Sequence, residues 1–134
     1  PKRGAPAGGA QPGGGAGGRS PVVVSSFSLA SIDRVRRLEP SLATGWLRPS
    51  GIDRAGAMAD LDTAAHRGHA AFHPHHTSVT PELVEAAHRA GLALVTWTVD
   101  QPSRARELAA MRVDVLITNR PAVLVDALDG TGTL

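Results

Sequence analysis

The sequence predicts an α/β fold in which five parallel strands alternate with five helices, and two observations carry that prediction. The first is the stretch from Ala90 to Pro121, AGLALVTWTVDQPSRARELAAMRVDVLITNRP, where two apolar runs that end in polar residues flank one short helix. A crossover of this length joins neighbouring parallel strands in the right-handed sense, so the segment is a β-α-β unit and not a hairpin. The second is that the chain upstream repeats the alternation, each apolar run being followed by a helix with its own stop signal.

Val22, Val23 and Val24 form a continuous apolar run, the pattern of a strand buried on both faces, which ends at Ser25, Ser26 and Phe27. Ser28 caps the next helix, Leu29, Ile32, Val35 and Leu38 fall on one of its faces, and Pro40 stops it. Leu42 to Leu47 is a second, short strand ending near Trp46. After a loop from Arg48 to Asp53, an alanine-rich helix runs from Ala55 to about His66 with Met58 and Leu61 inward, and Gly68 ends it. His69 to Phe72 is the third strand, closing on His73 and Pro74. Thr80, Pro81 and Glu82 start a helix with a capping hydroxyl, a first-turn proline and an acid against the dipole. Leu83, Val84 and Ala87 are its buried face, and Gly91 is its left-handed stop. The fourth strand spans Leu92 to Thr98, the next helix Pro102 to Ala110, the fifth strand Val113 to Thr118, and the last helix Pro121 to Leu128.

At 134 residues the chain is one domain or part of one, short of the roughly 250 residues of a complete parallel α/β barrel. It opens on Pro1 without an initiator methionine, which suggests a fragment or a truncated product. Residues 1–20 hold eight of the fifteen glycines and no core-forming side chain larger than alanine, so they are expected to be a disordered Gly/Pro-rich segment; residues 129–134 are expected to be a flexible tail. The early glycines lack both the Gly-Lys-Ser/Thr ending and the preceding strand of a phosphate loop.

Net charge is +2, with arginines scattered among acids from Arg34 to Arg120 and no basic run that interleaves aromatics, so no nucleic-acid partner is expected. The absence of cysteine excludes disulfides and thiolate metal sites. No run approaches the ~20 apolar residues of a membrane span, and the first residues lack a signal-peptide core. Compartment stays open, with the cytoplasm favoured.

Several words of the ordered region resemble the glycerophosphodiester phosphodiesterase family. Gly91, Leu92, then Trp97, Thr98, Val99, Asp100, and after a helix Val113, Asp114, an aliphatic pair, Thr118 and Pro121, match the family's closing wording. Arg112 and Val115 stand where its glycines are common, and Asn119 where aspartate is common. Val22 to Phe27 resembles its V-V-x-S-S-F strand, Pro40 to Leu47 its P-x-L-x-x-G-x-L stretch, and His73 to Val84 a subset's H-P-H-H-x-x-x-T-P-E-L-V. The resemblance covers residues 21–128 and implies a partial TIM (β/α)8 barrel, the five strands being the family's strands four to eight.

That resemblance further implies metal-dependent hydrolysis of a glycerophosphodiester to glycerol 3-phosphate and an alcohol, a reaction of lipid metabolism. Family members use a divalent metal, magnesium or calcium, held by carboxylates, and two histidines for proton transfer, all placed at their first three strands. This chain is therefore expected to hold no catalytic residue and no metal, and to be inactive alone. Its contribution would be a substrate pocket of Phe27, Trp97 and His73 at the carboxyl ends of strands, where a parallel barrel places its site. The alternative for the rings of Phe27 and Trp97 is that they only cap the barrel core.

His66-Arg67-Gly68 repeats the family's first-strand catalytic triplet, yet it follows a helix and precedes a strand, so it is read as a helix C-terminus. The cluster His69, His73, His75 and His76 has metal-ligand chemistry, but the nearest downstream acids, Glu82 and Glu85, lie in the next helix start. A loop at the pocket mouth, with His73 or His75 in reach of the phosphodiester, and a solvated loop are both open. Ser25 and Ser26 have no histidine–acid pair to activate them. From a different class, the chain could be a non-catalytic half-barrel that assembles with itself or a partner, because five strands leave two open edges.

Overall fold

The computed structural model describes residues 22–129. The expected disorder of residues 1–20 and most of the expected tail, residues 130–134, lie outside them. Five strands and five helices alternate: β1 (Val23–Ser26), α1 (Leu29–Leu38), β2 (Ala43–Leu47), α2 (Arg54–His66), β3 (Ala71–His73), α3 (Pro81–Arg89), β4 (Ala93–Thr96), α4 (Pro102–Ala110), β5 (Val115–Leu116) and α5 (Pro121–Asp129). All neighbouring strands are parallel and the sheet order is β1-β2-β3-β4-β5. Sequential right-handed crossovers put every helix on one side of such a sheet, as in a barrel opened between two strands.

The helices begin where side chains satisfy free backbone amides. Ser28 accepts from the Ser31 amide, Asp53 from Gly56 and Thr80 from Leu83, while α4 starts on Pro102 after Gln101 without a side-chain cap. The turns that end α2 and α3 pass through Gly68 and Gly91, at φ of 80° and 81°.

Register sorts the side chains by face. Ser25, Gly45, Ala71 and Ala93 form one row, and Trp46, Phe72 and Leu94 the next. Successive side chains alternate across a strand, so the second row points at the helices and packs with Ile32, Leu61, Leu83 and Leu108 in the core. The opposite face carries Val23, Ser25, Leu47, His73, Val95 and Val115. Its outermost apolar residues stay uncovered: Val23, Val115 and Ile117 are 50%, 47% and 43% exposed.

Three expectations are corrected. β1 is not buried on both faces, since Val23 lies half exposed on the face opposite the helices. Leu38 does not join the inner face of α1, where only Ile32 is fully buried; α1 rests on β1 and β2 at the open edge of the sheet and leaves Leu38 exposed. The fifth strand is two residues long rather than Val113 to Thr118. At its start the Asp114 carboxylate takes the Leu94 amide at 2.7 Å, so a side chain replaces the backbone carbonyl that a longer ladder would offer. The turn before it forces Arg112 to φ 72°, the left-handed conformation that suits the glycine common at this place.

Arg112 is exposed, so releasing its backbone strain should show directly in stability. Arg112→Gly is expected to raise the unfolding free energy by about 0.5–1 kcal/mol, since the strain of a left-handed L-residue exceeds the entropy glycine adds to the unfolded chain. Urea unfolding compares the two proteins.

Candidate substrate wall

The carboxyl ends of the strands gather Phe27 after β1, His73 and His75 at β3, and Trp97 after β4. The Phe27 and Trp97 rings meet edge to face, 6.1 Å between centroids at 79°. Trp97 donates its indole N–H to the His73 carbonyl at 3.2 Å, which fixes the ring across the mouth of β3 and β4. A parallel bridge sets His75 opposite Trp97, so His73, His75 and Trp97 share the face that carries no helices. Phe27 is half exposed, which leaves one side of the aromatic pair open.

His73 is buried on this face, and its Nε2 has no hydrogen-bond partner among the described residues. The ring lies over Gly45, where an added Cβ would come within 2.6 Å of Nε2. Burial lowers the His73 pKa, so the imidazole is neutral at physiological pH. The structure thus brings Phe27, Trp97 and His73 to one end of one face, the aromatic pair in contact and the His73 carbonyl bonded to the Trp97 indole.

Other residues that the sequence places at strand ends have different jobs. Trp46 turns to the helix side, is buried, and donates to the Phe27 carbonyl at 3.0 Å, with the Arg48 guanidinium 4.4 Å above its ring. It supports Phe27 from behind. Asp100 joins two loops: its Oδ1 accepts from the Asn119 amide and the Thr118 hydroxyl, each at 2.9 Å. The Asn119 amide first, and then the Thr118 hydroxyl, hold its carboxyl below the usual range. The Ser26 hydroxyl accepts from the Ser28 amide, and neither Ser25 nor Ser26 bonds a histidine.

The histidine cluster divides. His69 lies at the amino end of β3, where Nδ1 meets the Thr44 hydroxyl at 2.7 Å and Nε2 the Asp33 carboxylate at 2.8 Å. Asp33 also pairs with Arg67. Burial raises the Asp33 pKa, but the hydrogen bonds from His69 and Arg67 outweigh it and leave the carboxyl below its ordinary value. Hydroxyl, imidazole and carboxylate stand in line as in a hydrolase triad, yet Thr44 is fully buried at the wrong end of the sheet for this pocket. The line ties α1 to β2 and β3. It joins three elements distant in sequence, so no spacing announced it. His66 ends α2 and Arg67 caps it, as expected. Among the described residues no group of three His, Asp or Glu side chains could hold a metal ion, and no helix is long and apolar enough to cross a membrane.

The profile of the Glycerophosphoryl diester phosphodiesterase family matches residues 13–123. The chain belongs to that family. A Glycerophosphodiester phosphodiesterase of Caldanaerobacter subterraneus subsp. tengcongensis is 32% identical over 105 residues, which are 78% of this chain and 41% of that protein. The Probable glycerophosphodiester phosphodiesterase 2 of Mycobacterium tuberculosis is 34% identical over 125 residues, 83% of this chain and 46% of the other. The chain therefore spans less than half the length of these relatives. Among solved structures, a Silicibacter pomeroyi protein assigned by name to the glycerophosphoryl diester phosphodiesterases superposes with a TM-score of 0.70 at 30% identity, over 82% of this chain and 38% of that one. An Oleispira antarctica phosphodiesterase in complex with its product sn-glycerol-3-phosphate shares the fold at TM-score 0.68 and 23% identity, over 81% and 42%.

The close fit of His73 over Gly45 predicts a coupled pair. Gly45→Ala should cost roughly 1–3 kcal/mol by overpacking, and most of that loss should vanish when His73→Ala is added, as read by a double-mutant cycle in urea. His73 also predicts a pH dependence. Its folded pKa lies below the unfolded one near 6.5, so the unfolded chain takes the proton first. Stability should be full above that value and fall as pH drops below it, less steeply in His73→Ala.

Proposed function

We propose that this chain supplies the substrate wall of a glycerophosphodiester phosphodiesterase, which hydrolyses a glycerophosphodiester to glycerol 3-phosphate and an alcohol. The observation that carries the reading is the Phe27–Trp97 pair, half open and set at the carboxyl ends of the strands in a chain of this family. Its apolar rings suit the carbon face of the glycerol unit, and the product complex of the Oleispira antarctica relative supports a ligand of this kind. His73, neutral and buried over Gly45 on the same face, adds to this proposed site.

The chemistry needs more than a wall. A divalent metal, magnesium or calcium, would neutralise the phosphate charge, and a proton donor would release the alcohol as the P–O bond breaks. The residues described here do not form a donor set for that metal. On this proposal, metal binding and proton transfer belong to groups other than these five strands, and the chain by itself binds without turning over.

A second reading has its own observation. Val23, Phe27, Val115 and Ile117 leave an apolar band on the face opposite the helices, and β1 and β5 are both open edges. Such a surface favours a half-barrel that pairs with itself or with a partner. Sedimentation giving a compact monomer counts against it.

The test is direct. Purified residues 1–134 should release no glycerol 3-phosphate from glycerophosphocholine with either magnesium or calcium present. The same protein should bind sn-glycerol 3-phosphate by calorimetry, and Trp97→Ala should weaken that binding about tenfold. Metal-dependent turnover, or binding indifferent to Trp97, contradicts the proposal.

A further inference from the structure

The loop after β3 places two imidazoles beside the wall in a defined protonation pattern. His75 stands opposite Trp97 in the parallel bridge, its ring edge-on to the indole at 4.9 Å and 88°. Its other side stacks on His76 at 4.6 Å. With an aromatic neighbour on each side, the His75 ring is held in place before any ligand arrives.

Hydrogen bonds then fix where the protons lie. His75 Nδ1 accepts from the Thr77 backbone amide at 3.3 Å, with the Thr77 hydroxyl 2.8 Å from the same nitrogen. A backbone amide can only donate, so Nδ1 is bare and the neutral ring carries its proton on Nε2. The same logic holds for His76, whose Nδ1 receives the Arg104 Nε–H at 3.4 Å, because a guanidinium has no acceptor. Arg104 is itself anchored by the His76 carbonyl at 2.5 Å and by Glu107 at 3.0 Å. Burial, then the charges of His75 and Arg104, lowers the His76 pKa, so the stack does not carry two positive charges near neutrality. Among the described residues neither Nε2–H has a partner.

We infer that His75 is a substrate-binding residue whose Nε2–H donates to a phosphoryl oxygen of the ligand held against Trp97. The inference rests on the substrate-wall reading and adds its polar half. A glycerol phosphate has an apolar carbon face and, next to it, oxygens that at neutral pH mainly accept. An aromatic wall with an adjoining fixed N–H matches both. Thr77 is the positioning residue, because it selects the His75 tautomer without reaching the ligand.

Residues 1–134 labelled with 15N at histidine test this by long-range 1H–15N correlation during titration with sn-glycerol 3-phosphate. Free protein should show the Nε2–H pattern at His75, and ligand should shift that Nε2 signal. Inorganic phosphate alone should shift it as well, whereas glycerol alone should move the Trp97 indole and leave His75 in place. His75→Ala should weaken binding about tenfold, the loss of one hydrogen bond to a charged acceptor. His75→Gln, whose amide nitrogen can stand in for Nε2–H, should recover most of it. An Nδ1–H tautomer in the free protein overturns the inference without any variant. So does wild-type binding that His75→Ala leaves unchanged, and in that case the substrate wall stands. No response of either Trp97 or His75 to glycerol 3-phosphate overturns both.

Discussion

The parallel register that ties Ser25 to Gly45, Gly45 to Ala71 and Ala71 to Ala93 decides what every other part of this chain can do. It sends Trp46, Phe72 and Leu94 into the helix layer and turns His73, His75 and Trp97 the other way. A slip of one residue would exchange the two sets, burying imidazoles among leucines and exposing Phe72. The buried apolar row therefore fixes the register, and the register aims the wall. The proposed site on one face is held by packing on the other.

Polar links lock the two ends of that arrangement. At the amino ends, Thr44, His69, Asp33 and Arg67 form a line from β2 through the start of β3 to α1 and the end of α2. At the carboxyl ends, Asp100 clasps the loop after β5 to the loop after β4, three residues beyond Trp97. The first sits where a parallel barrel keeps residues for stability, the second where it keeps residues for ligands. Arg104 extends the clasped end to the loop after β3 through the His76 and Val79 carbonyls. The proposed wall thus stands on loops whose backbones are tied to one another, which suits the small-ligand surface proposed for it.

Much of this was legible in the sequence because local signals and tertiary packing agree. Ser28, Thr80 with Pro81, Gly68 and Gly91 mark helix ends by chemistry that needs no distant partner, and the structure uses each as expected. The place of Trp97 at the end of β4 was legible because a strand end followed by a family word is a local pattern. Trp46 was not, since its direction depends on which face β2 turns to the helices. His69 and His73 look equivalent in sequence, four residues apart, yet one serves the line through Asp33 and the other lies over Gly45 on the open face. Which of them does which is set by pairing between strands, beyond any window of sequence. Val113 to Thr118 reads as a full strand by composition, but the left-handed Arg112 and the capping Asp114 carboxylate shorten it.

The central claim is that one face of the sheet packs and the other stays open, with the aromatic wall at its rim. Methyl-resolved NMR with a soluble paramagnetic probe measures this for the whole chain at once. The account predicts that the Val23, Val115 and Ile117 methyls are broadened as strongly as those of exposed Leu38, while those of Leu83, Leu94 and Leu108 are spared. Protection of Val23 and Ile117 equal to that of Leu94 would contradict it, because the face assigned to the ligand would then be covered.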